Sequence, residues 1–169
     1  GDDANKVKIR ALVPVNMRAP DDEGALGNRF GLVALDLPLD VEHPLQRLYT
    51  VRDRMQALRT SLQPVVVLNL LHALGMAPNA VQQQAVELLT AKASAVITNV
   101  PGPQQTLYMA GARLRQPLFW VPQSGDIGVG VSILSYDHKV QLGLITDKKL
   151  VPDPDRVVAR FAVEFEQLL

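Results

Sequence analysis

The stretch best suited to chemistry is Thr-Asn-Val-Pro-Gly-Pro at residues 98–103. A β-branched, apolar run leads into it, so the pattern predicts a strand that ends at Asn99 and enters a loop stiffened by two prolines and turned by a glycine. Such a loop would hold the Thr98 hydroxyl and the Asn99 amide where they could bind a substrate or donate hydrogen bonds to a developing oxyanion. The alternative is structural: Asn99 satisfies loop backbone groups, and Pro-Gly-Pro only makes a turn.

Two glycine-containing stretches do not support a nucleotide site. Gly-Asn-Arg-Phe-Gly at residues 27–31 leads into a strand, whereas a phosphate-binding loop joins a strand to a helix. Gly128 and Gly130 lie inside a predicted strand, where glycine is more typical of a bulge or a close backbone contact.

The sequence predicts no complete catalytic group and no metal site. Its three histidines are scattered, since His43 precedes a proline, His72 lies in an apolar run and His138 lies in a polar turn. Only His138 has a neighbouring carboxylate, Asp137, and that pair is typical of a solvated hairpin tip. The chain has no cysteine, no Gly-x-Ser-x-Gly elbow and no metal-ligand spacing.

The composition is that of a folded domain without charge bias. Of 169 residues 47% are apolar, and 17 Lys and Arg balance 17 Asp and Glu. The chain can therefore bury a core, but it lacks the positive excess that attracts nucleic acid. The absence of cysteine fits a reducing compartment such as the cytoplasm. We predict a single domain over residues 1–169 with no nucleic-acid partner.

The apolar pattern predicts an α/β fold with a mixed β-sheet covered by helices, because strands and helices do not alternate regularly. Predicted strands cover residues 7–15, 28–37, 95–99, 107–114, 118–122, 127–135 and 140–146, and predicted helices cover residues 45–62, 65–76, 80–90 and 155–169. The helix at 65–76 is almost entirely apolar but falls short of the ~20 residues that span a bilayer, so we expect it in the core.

The last two strands are predicted to form an antiparallel hairpin around residues 136–139. The residues expected to pair across it are Val129, Val131 and Ile133 on one strand and Leu142, Leu144 and Thr146 on the other.

Five pieces of the sequence, in this order, resemble the C-terminal half of the bacterial wax ester synthase/diacylglycerol acyltransferase family. They are Ala-Leu-Val-Pro-Val-Asn-Met-Arg at 11–18, Gly-Asn-Arg-Phe at 27–30, residues 98–103, Leu-Tyr-Met-Ala-Gly-Ala at 107–112 and Ser-Tyr at 135–136. The stretch around Asn99 is the most specific, because the family carries Ser-Asn-Val-Pro-Gly-Pro there. Thr98 replaces that serine, keeping the hydroxyl but adding a methyl group that restricts the rotamer.

The resemblance implies one half of a two-domain, chloramphenicol-acetyltransferase-like CoA-dependent acyltransferase. Such an enzyme transfers a fatty acyl group from CoA to a long-chain alcohol or a diacylglycerol, giving wax ester or triacylglycerol, with acyl-CoA as substrate and no further cofactor. In that family the general base is the second histidine of a His-His-x-x-x-Asp-Gly motif in the N-terminal half, and this sequence has no His-His pair. The opening residues Gly1–Lys6 have neither a methionine nor a signal pattern, which fits a piece of a longer protein.

For this half, the resemblance implies tunnel wall and active-site support, with the catalytic histidine in the other half. The implied support residues are Thr98, Asn99, Pro101 and Gly102, and beyond them Asn28 and Arg18, which could equally be loop or contact residues. The implied partners are the chain's own N-terminal half, fatty acyl-CoA and the acceptor. The implied location is the cytoplasm, with a peripheral contact to the inner membrane or lipid droplets.

Two other functions stay open. A domain of the same fold could serve as a non-catalytic lipid-binding or scaffold domain. The chain could also come from a condensation-type domain that acts on carrier-bound acyl groups and shares the two-half design.

Overall fold

The computed structural model describes residues 8–18, 29–91, 93–123 and 126–168. These residues fold into two compact units. The first contains strands β1 (Arg10–Asn16) and β2 (Phe30–Asp36) and helices α1 (Pro44–Thr60), α2 (Gln63–Gly75) and α3 (Asn79–Thr90). The second contains β3 (Ala95–Pro101), β4 (Tyr108–Met109), β5 (Ala112–Arg113), β6 (Val129–Tyr136), β7 (Lys139–Thr146) and helix α4 (Pro154–Glu166). The single domain expected over residues 1–169 stays a prediction.

Strands β1 and β2 of the first unit pair antiparallel along their whole length. The predicted alternation is present, because Ala11 and Val15 of β1 are buried on the same face as Val33 and Leu35 of β2. These four residues form the core of the pair.

Prolines set where the helices begin. Pro44, Pro64 and Pro154 each lie in the first turn of a helix, where the missing N–H has no intrahelical partner to lose. The predicted break before Pro64 is confirmed: α1 ends at Thr60, and the Ser61 hydroxyl donates a hydrogen bond to the Leu58 carbonyl at 2.7 Å.

Helix α2 is less buried than its composition predicts. It packs against β2, yet Pro64 is its one buried residue, Val66 is 60% exposed, and Met76 at its C-cap is 86% exposed. The expectation that residues 65–76 lie in the core is therefore wrong. The segment is apolar on every side, and only one side meets β2, so composition alone could not show which surface stays uncovered.

The second unit contains a mixed sheet in the order β3-β6-β7. Strand β3 runs parallel to β6, and β6 runs antiparallel to β7. The predicted hairpin register is confirmed in the pairs Val129–Thr146, Val131–Leu144 and Ile133–Leu142. The turn is shorter than predicted, because Tyr136 already pairs with Lys139.

Only two residues therefore make the turn between β6 and β7. Asp137 and His138 have φ values of 49° and 59°, the left-handed conformation that two-residue hairpin turns require. Asp tolerates this conformation better than most residues other than glycine.

Residues 107–123 do not form the strands predicted at 107–114 and 118–122. Strands β4 and β5 have two residues each and pair as a short hairpin, and residues 118–122 do not form a strand. Prolines at 117 and 122 limit ladder pairing. The Phe119 carbonyl instead accepts a hydrogen bond from the buried Ser132 hydroxyl at 2.6 Å, so this segment lies over the sheet face that carries Ser132.

The predicted fold class, α/β with a mixed sheet and helices, is confirmed. In the parts of the chain that the structure describes, every helix is too short or too polar to cross a membrane.

The contact between α2 and β2 yields a stability prediction at Gly31. A β-carbon at this position would lie 2.8 Å from the Pro64 Cα and closer still to its carbonyl oxygen. Gly31→Ala should therefore lower the free energy of unfolding by about 1–3 kcal/mol, measured by urea denaturation, because rigid backbone must move to make room.

Gly75→Ala is the matched control, since a β-carbon on Gly75 would meet no atom within 4 Å and alanine favours helix. Equal stability of the two variants would contradict the close packing of α2 on β2.

Candidate functional site

The candidate site is held on β3, which continues two residues further than predicted. Thr98 pairs with Ser132, Asn99 with Ile133, and Pro101 with Ser135 in the parallel register. The Gly102 amide donates a hydrogen bond to the Ser135 carbonyl at 2.8 Å. The predicted strand end at Asn99 is therefore wrong. Pro101 has no N–H group to donate, but it still pairs with Ser135 at the end of the strand.

Thr98 and Asn99 lie on opposite faces of the sheet. Consecutive residues of a strand point to opposite sides, so Thr98 lies on the face of Ser132, and Asn99 lies on the face of Ile133. Thr98 is half-buried and Asn99 is exposed. The structure therefore does not bring these two side chains together, although it places each beside a strand that fixes its backbone.

Among the described residues, neither Thr98 nor Asn99 makes a side-chain hydrogen bond. The adjacent Ser132, by contrast, is 2% exposed and gives its hydroxyl to the Phe119 carbonyl. The structural alternative for Asn99 is that its side-chain amide bonds to backbone groups of the loop. The described residues contain no such hydrogen bond.

Gly102 and Pro101 hold the backbone course. A β-carbon on Gly102 would collide with the Ser135 carbonyl oxygen and lie 3.3 Å from the Leu134 Cδ1. Only glycine therefore allows the chain to approach β6 this closely. Pro101 is exposed at the end of β3.

The two remaining candidates belong to the other part of the sequence. Arg18 follows β1, and its backbone amide donates a hydrogen bond to the Asn16 Oδ1 at 3.0 Å. Asn28 lies outside the described residues.

Tyr136 is a structural anchor that the sequence pattern did not single out for this role. It is 1% exposed. Its hydroxyl accepts a hydrogen bond from the Leu107 amide at 2.8 Å and donates one to the Leu114 carbonyl at 2.9 Å. These bonds join residues 22 and 29 positions apart, so local sequence carries no signal for them. One side chain thus closes both ends of the segment that contains β4 and β5.

Asp137 is a second anchor: it lies in the turn as predicted, but the prediction that its side chain is solvated is wrong. Its side chain is only 16% exposed. The Thr106 hydroxyl donates to one carboxylate oxygen at 2.8 Å, and the Arg113 guanidinium donates to the other at 2.9 Å. These two hydrogen bonds lower the pKa of the Asp137 carboxyl below its ordinary value of 3.8, and the bond from Thr106 has the larger effect.

The turn also fixes the start of that segment. The Asp137 amide donates to the Pro103 carbonyl at 3.2 Å, and the His138 amide donates to the Gln104 Oε1 at 3.3 Å. The residues directly after Gly102 are therefore held by the β6–β7 turn, so the course of the chain past the candidate site depends on Asp137 and His138.

The histidines are dispersed, as the sequence predicts. His43, His72 and His138 are all exposed, and none forms an ion pair with a carboxylate of the described chain. No group of three or more metal-binding side chains occurs within the described ranges.

The Tyr136 anchor predicts a loss of stability on removal of a single oxygen. Tyr136→Phe should lower the free energy of unfolding by about 1–3 kcal/mol, measured by urea denaturation, because a buried amide and a carbonyl lose their partner. Tyr108→Phe, at a side chain 67% exposed, should change it little. Equal effects of the two substitutions would contradict the anchoring role.

The Asp137 anchor predicts a dependence on acid. Because folding lowers the pKa of Asp137, its contribution is present above the ordinary value of 3.8 and disappears as the pH falls through the lowered pKa. Asp137→Asn should have a lower Tm than the parent near pH 7, and the difference should shrink toward about pH 3.

The measurement is thermal unfolding followed by circular dichroism across that range. Asp126→Asn, at an exposed residue, should keep the parent's acid dependence. A difference between Asp137→Asn and the parent that is constant with pH would contradict the proposed ionic anchor.

The chain is similar to curated proteins named as diacylglycerol O-acyltransferases. Over 149 residues it is 31% identical to a Mycobacterium tuberculosis protein named probable diacylglycerol O-acyltransferase tgs1, covering 86% of this chain and 32% of that protein. Over 164 residues it is 29% identical to tgs2 of the same organism, also named a probable diacylglycerol O-acyltransferase, covering 94% and 36%. The chain therefore spans about one third of the length of these relatives.

The fold is also similar to a solved structure. Wax ester synthase/diacylglycerol acyltransferase from Marinobacter aquaeolei VT8 superposes with a TM-score of 0.62 at 23% identity, over 95% of this chain and 35% of that one. The expected CoA-dependent acyltransferase fold is thereby confirmed.

The family model described as "WS/DGAT C-terminal domain" matches residues 26–169, which include β2 through α4 and the whole of residues 98–103. The resemblance carried by the five sequence pieces is confirmed, and the chain belongs to the WS/DGAT C-terminal domain family.

Proposed function

We propose that this chain is the C-terminal part of an acyl-CoA-dependent O-acyltransferase that makes wax ester, triacylglycerol or both. The observation that carries the proposal is the family match over residues 26–169. The names of the mycobacterial relatives support a diacylglycerol acceptor, and the name of the Marinobacter structure supports either acceptor. Fatty acyl-CoA is the proposed donor, with no further cofactor.

We propose that this part supplies tunnel wall and site support, while the general base lies in an N-terminal half. The exposed positions of His43, His72 and His138, without carboxylate partners among the described residues, support this division. A general base needs a neighbour that orients it and a site that excludes water.

The surface of α2 supports the proposed N-terminal partner. Val65, Val66 and Leu70 are exposed apolar residues on this helix, beside the exposed Met76. Exposed apolar side chains of this kind contribute favourable free energy when a second protein surface removes them from water. We propose that part of this surface is covered in the full enzyme. The proposed location is the cytoplasm, and any contact with a membrane or lipid droplet is peripheral.

Within the site, Asn99 is the proposed support residue for the reacting carbonyl, and Thr98 has a separate role on the opposite face. The exposed Asn99 amide has no internal hydrogen bond among the described residues, so it is available to a ligand. Thr98 lies on the face of Ser132, so its hydroxyl is proposed to line the wall there. Pro101 and Gly102 are proposed to fix the backbone that carries them.

The test is CoA release from palmitoyl-CoA with hexadecanol, and separately with a diacylglycerol, by this chain alone and joined to its N-terminal half. Activity is expected only in the joined protein. In that protein Asn99→Ala should lower kcat on the order of 10²-fold and leave Tm almost unchanged, because one well-placed donor is lost and no internal contact is.

Asn79→Ala is the matched control, because Asn79 is an exposed asparagine at the start of α3, away from the α2 surface, and makes no side-chain hydrogen bond among the described residues. Equal losses of turnover and stability in Asn99→Ala would reject its role as support residue. A folded, joined protein without activity on either acceptor would reject the enzyme and favour the lipid-binding or scaffold function.

A further inference from the structure

A cavity of about 550 Å³ lies in the first unit, where β2 ends near α1. Its wall is mainly apolar, formed by Ile9, Leu35, Leu37 and Leu58. None of residues 98–103 lines it. The volume falls in the range of small-molecule sites, which are typically apolar with a few polar groups at defined places.

Two cationic side chains line the same cavity without a carboxylate partner. Arg54 donates a hydrogen bond from Nη1 to the Asp36 carbonyl at 2.6 Å, and it forms no ion pair within the described chain. Lys8 forms neither a hydrogen bond nor an ion pair there. A guanidinium with free N–H groups and an ammonium together can bind a carboxylate or a phosphate.

The Asp36 carboxylate, in the same lining, is already paired with another cation. Arg10 binds Asp36 in a two-pronged arrangement, with Nε to Oδ1 at 2.6 Å and Nη2 to Oδ2 at 3.1 Å. This hydrogen bonding by Arg10 is the main reason that the pKa of the Asp36 carboxyl lies below its ordinary value, and the charges of Lys8 and Arg54 add to the effect. Three cations therefore surround one carboxylate.

One further acid, Asp40, lines the cavity and must be weighed against them. It is exposed and makes no hydrogen bond among the described residues. With Arg10 and Asp36 cancelling, Lys8 and Arg54 leave two positive charges against the one negative charge of Asp40. The described residues that line the cavity, together with Arg10, thus carry a net charge of about +1 beside an apolar wall.

We propose that this cavity binds an amphiphile with an anionic head, a carboxylate or a phosphate, on an alkyl chain. The head lies at Lys8 and Arg54, and the chain lies along Leu35, Leu37 and Leu58. This cavity shares no residue with the proposed acyltransfer site, and the proposal does not rest on the proposed acyltransferase function. A free fatty acid and a phosphate-bearing lipid have this shared chemistry.

The test is isothermal titration calorimetry of the 169-residue chain with decanoate and with decyl phosphate, each below its micelle concentration. Decyltrimethylammonium tests the sign of the charge, and inorganic phosphate tests the head alone. We expect the anionic amphiphiles to bind at least about tenfold more tightly than either comparator, since each loses the charge or the apolar contribution. The better anionic ligand distinguishes a fatty acid from a phosphate lipid.

Charge variants at the rim test the assignment with opposite signs. Lys8→Gln should weaken decanoate binding about three- to fivefold, and Asp40→Asn should strengthen it by a similar factor. Both residues are exposed, so neither change should affect folding. Lys139→Gln, at an exposed lysine of β7, is the control and should leave binding unchanged.

A third variant tests the cavity itself. Ala57 lines it, so Ala57→Trp should fill the space and abolish binding in a protein whose circular dichroism is unchanged. Binding that survives in folded Ala57→Trp would overturn the proposal. So would equal binding of decyltrimethylammonium, or shifts of the same sign in Lys8→Gln and Asp40→Asn. If Ala57→Trp does not fold, the two rim variants decide.

Discussion

The second unit depends on buried hydroxyl groups that hold a long, mostly irregular segment against a sheet. Residues 103–123 have only the two-residue strands β4 and β5, so most of their backbone groups lack ladder partners and need others. Ser132 and Tyr136 supply some of these partners. They lie on the same face of β6, four residues apart, and both are almost completely buried. Strand β6 is therefore the middle strand of the three in this unit and also holds the segment that covers them.

This arrangement gives the two faces of the sheet in this unit different surroundings. The face of Ser132 is occupied by the covering segment, and Thr98 lies on that side. The face of Asn99 carries Ile133 and Leu142 as its neighbours across the sheet. Asn99 lies on β3, and the parallel pairing of β3 with β6 fixes the position of its backbone on that face. A fixed backbone position is what the proposed support role of Asn99 requires.

Sequence reasoning predicted the parts of the fold that follow from local periodicity. The β6–β7 register follows from alternation of apolar residues, and the helix starts follow from Pro44, Pro64 and Pro154. The resemblance at residues 98–103 identified the family, because an uncommon motif is more specific than composition.

The misses share one physical cause: they depend on contacts between distant residues. Asp137 looked like a solvated turn residue because Thr106 and Arg113 are 31 and 24 positions away. Helix α2 looked like core because its sequence does not show that only one side is covered. Strand β3 continues past Asn99 to Pro101 because it pairs with the distant strand β6, which local sequence does not show. The cavity beside α1 has no sequence signal, since its charged residues come from three separate segments.

The turn between β6 and β7 has a consequence for how much this part of the chain can vary in length. Two residues in left-handed conformation close it, and the same two residues hold Pro103, Gln104 and Thr106 by hydrogen bonds. One inserted residue would shift Asp137 along the hairpin and change which face each following side chain of β7 occupies. Insertions and deletions should therefore be excluded from this hairpin, whereas substitutions that accept positive φ, above all glycine and asparagine, fit its backbone.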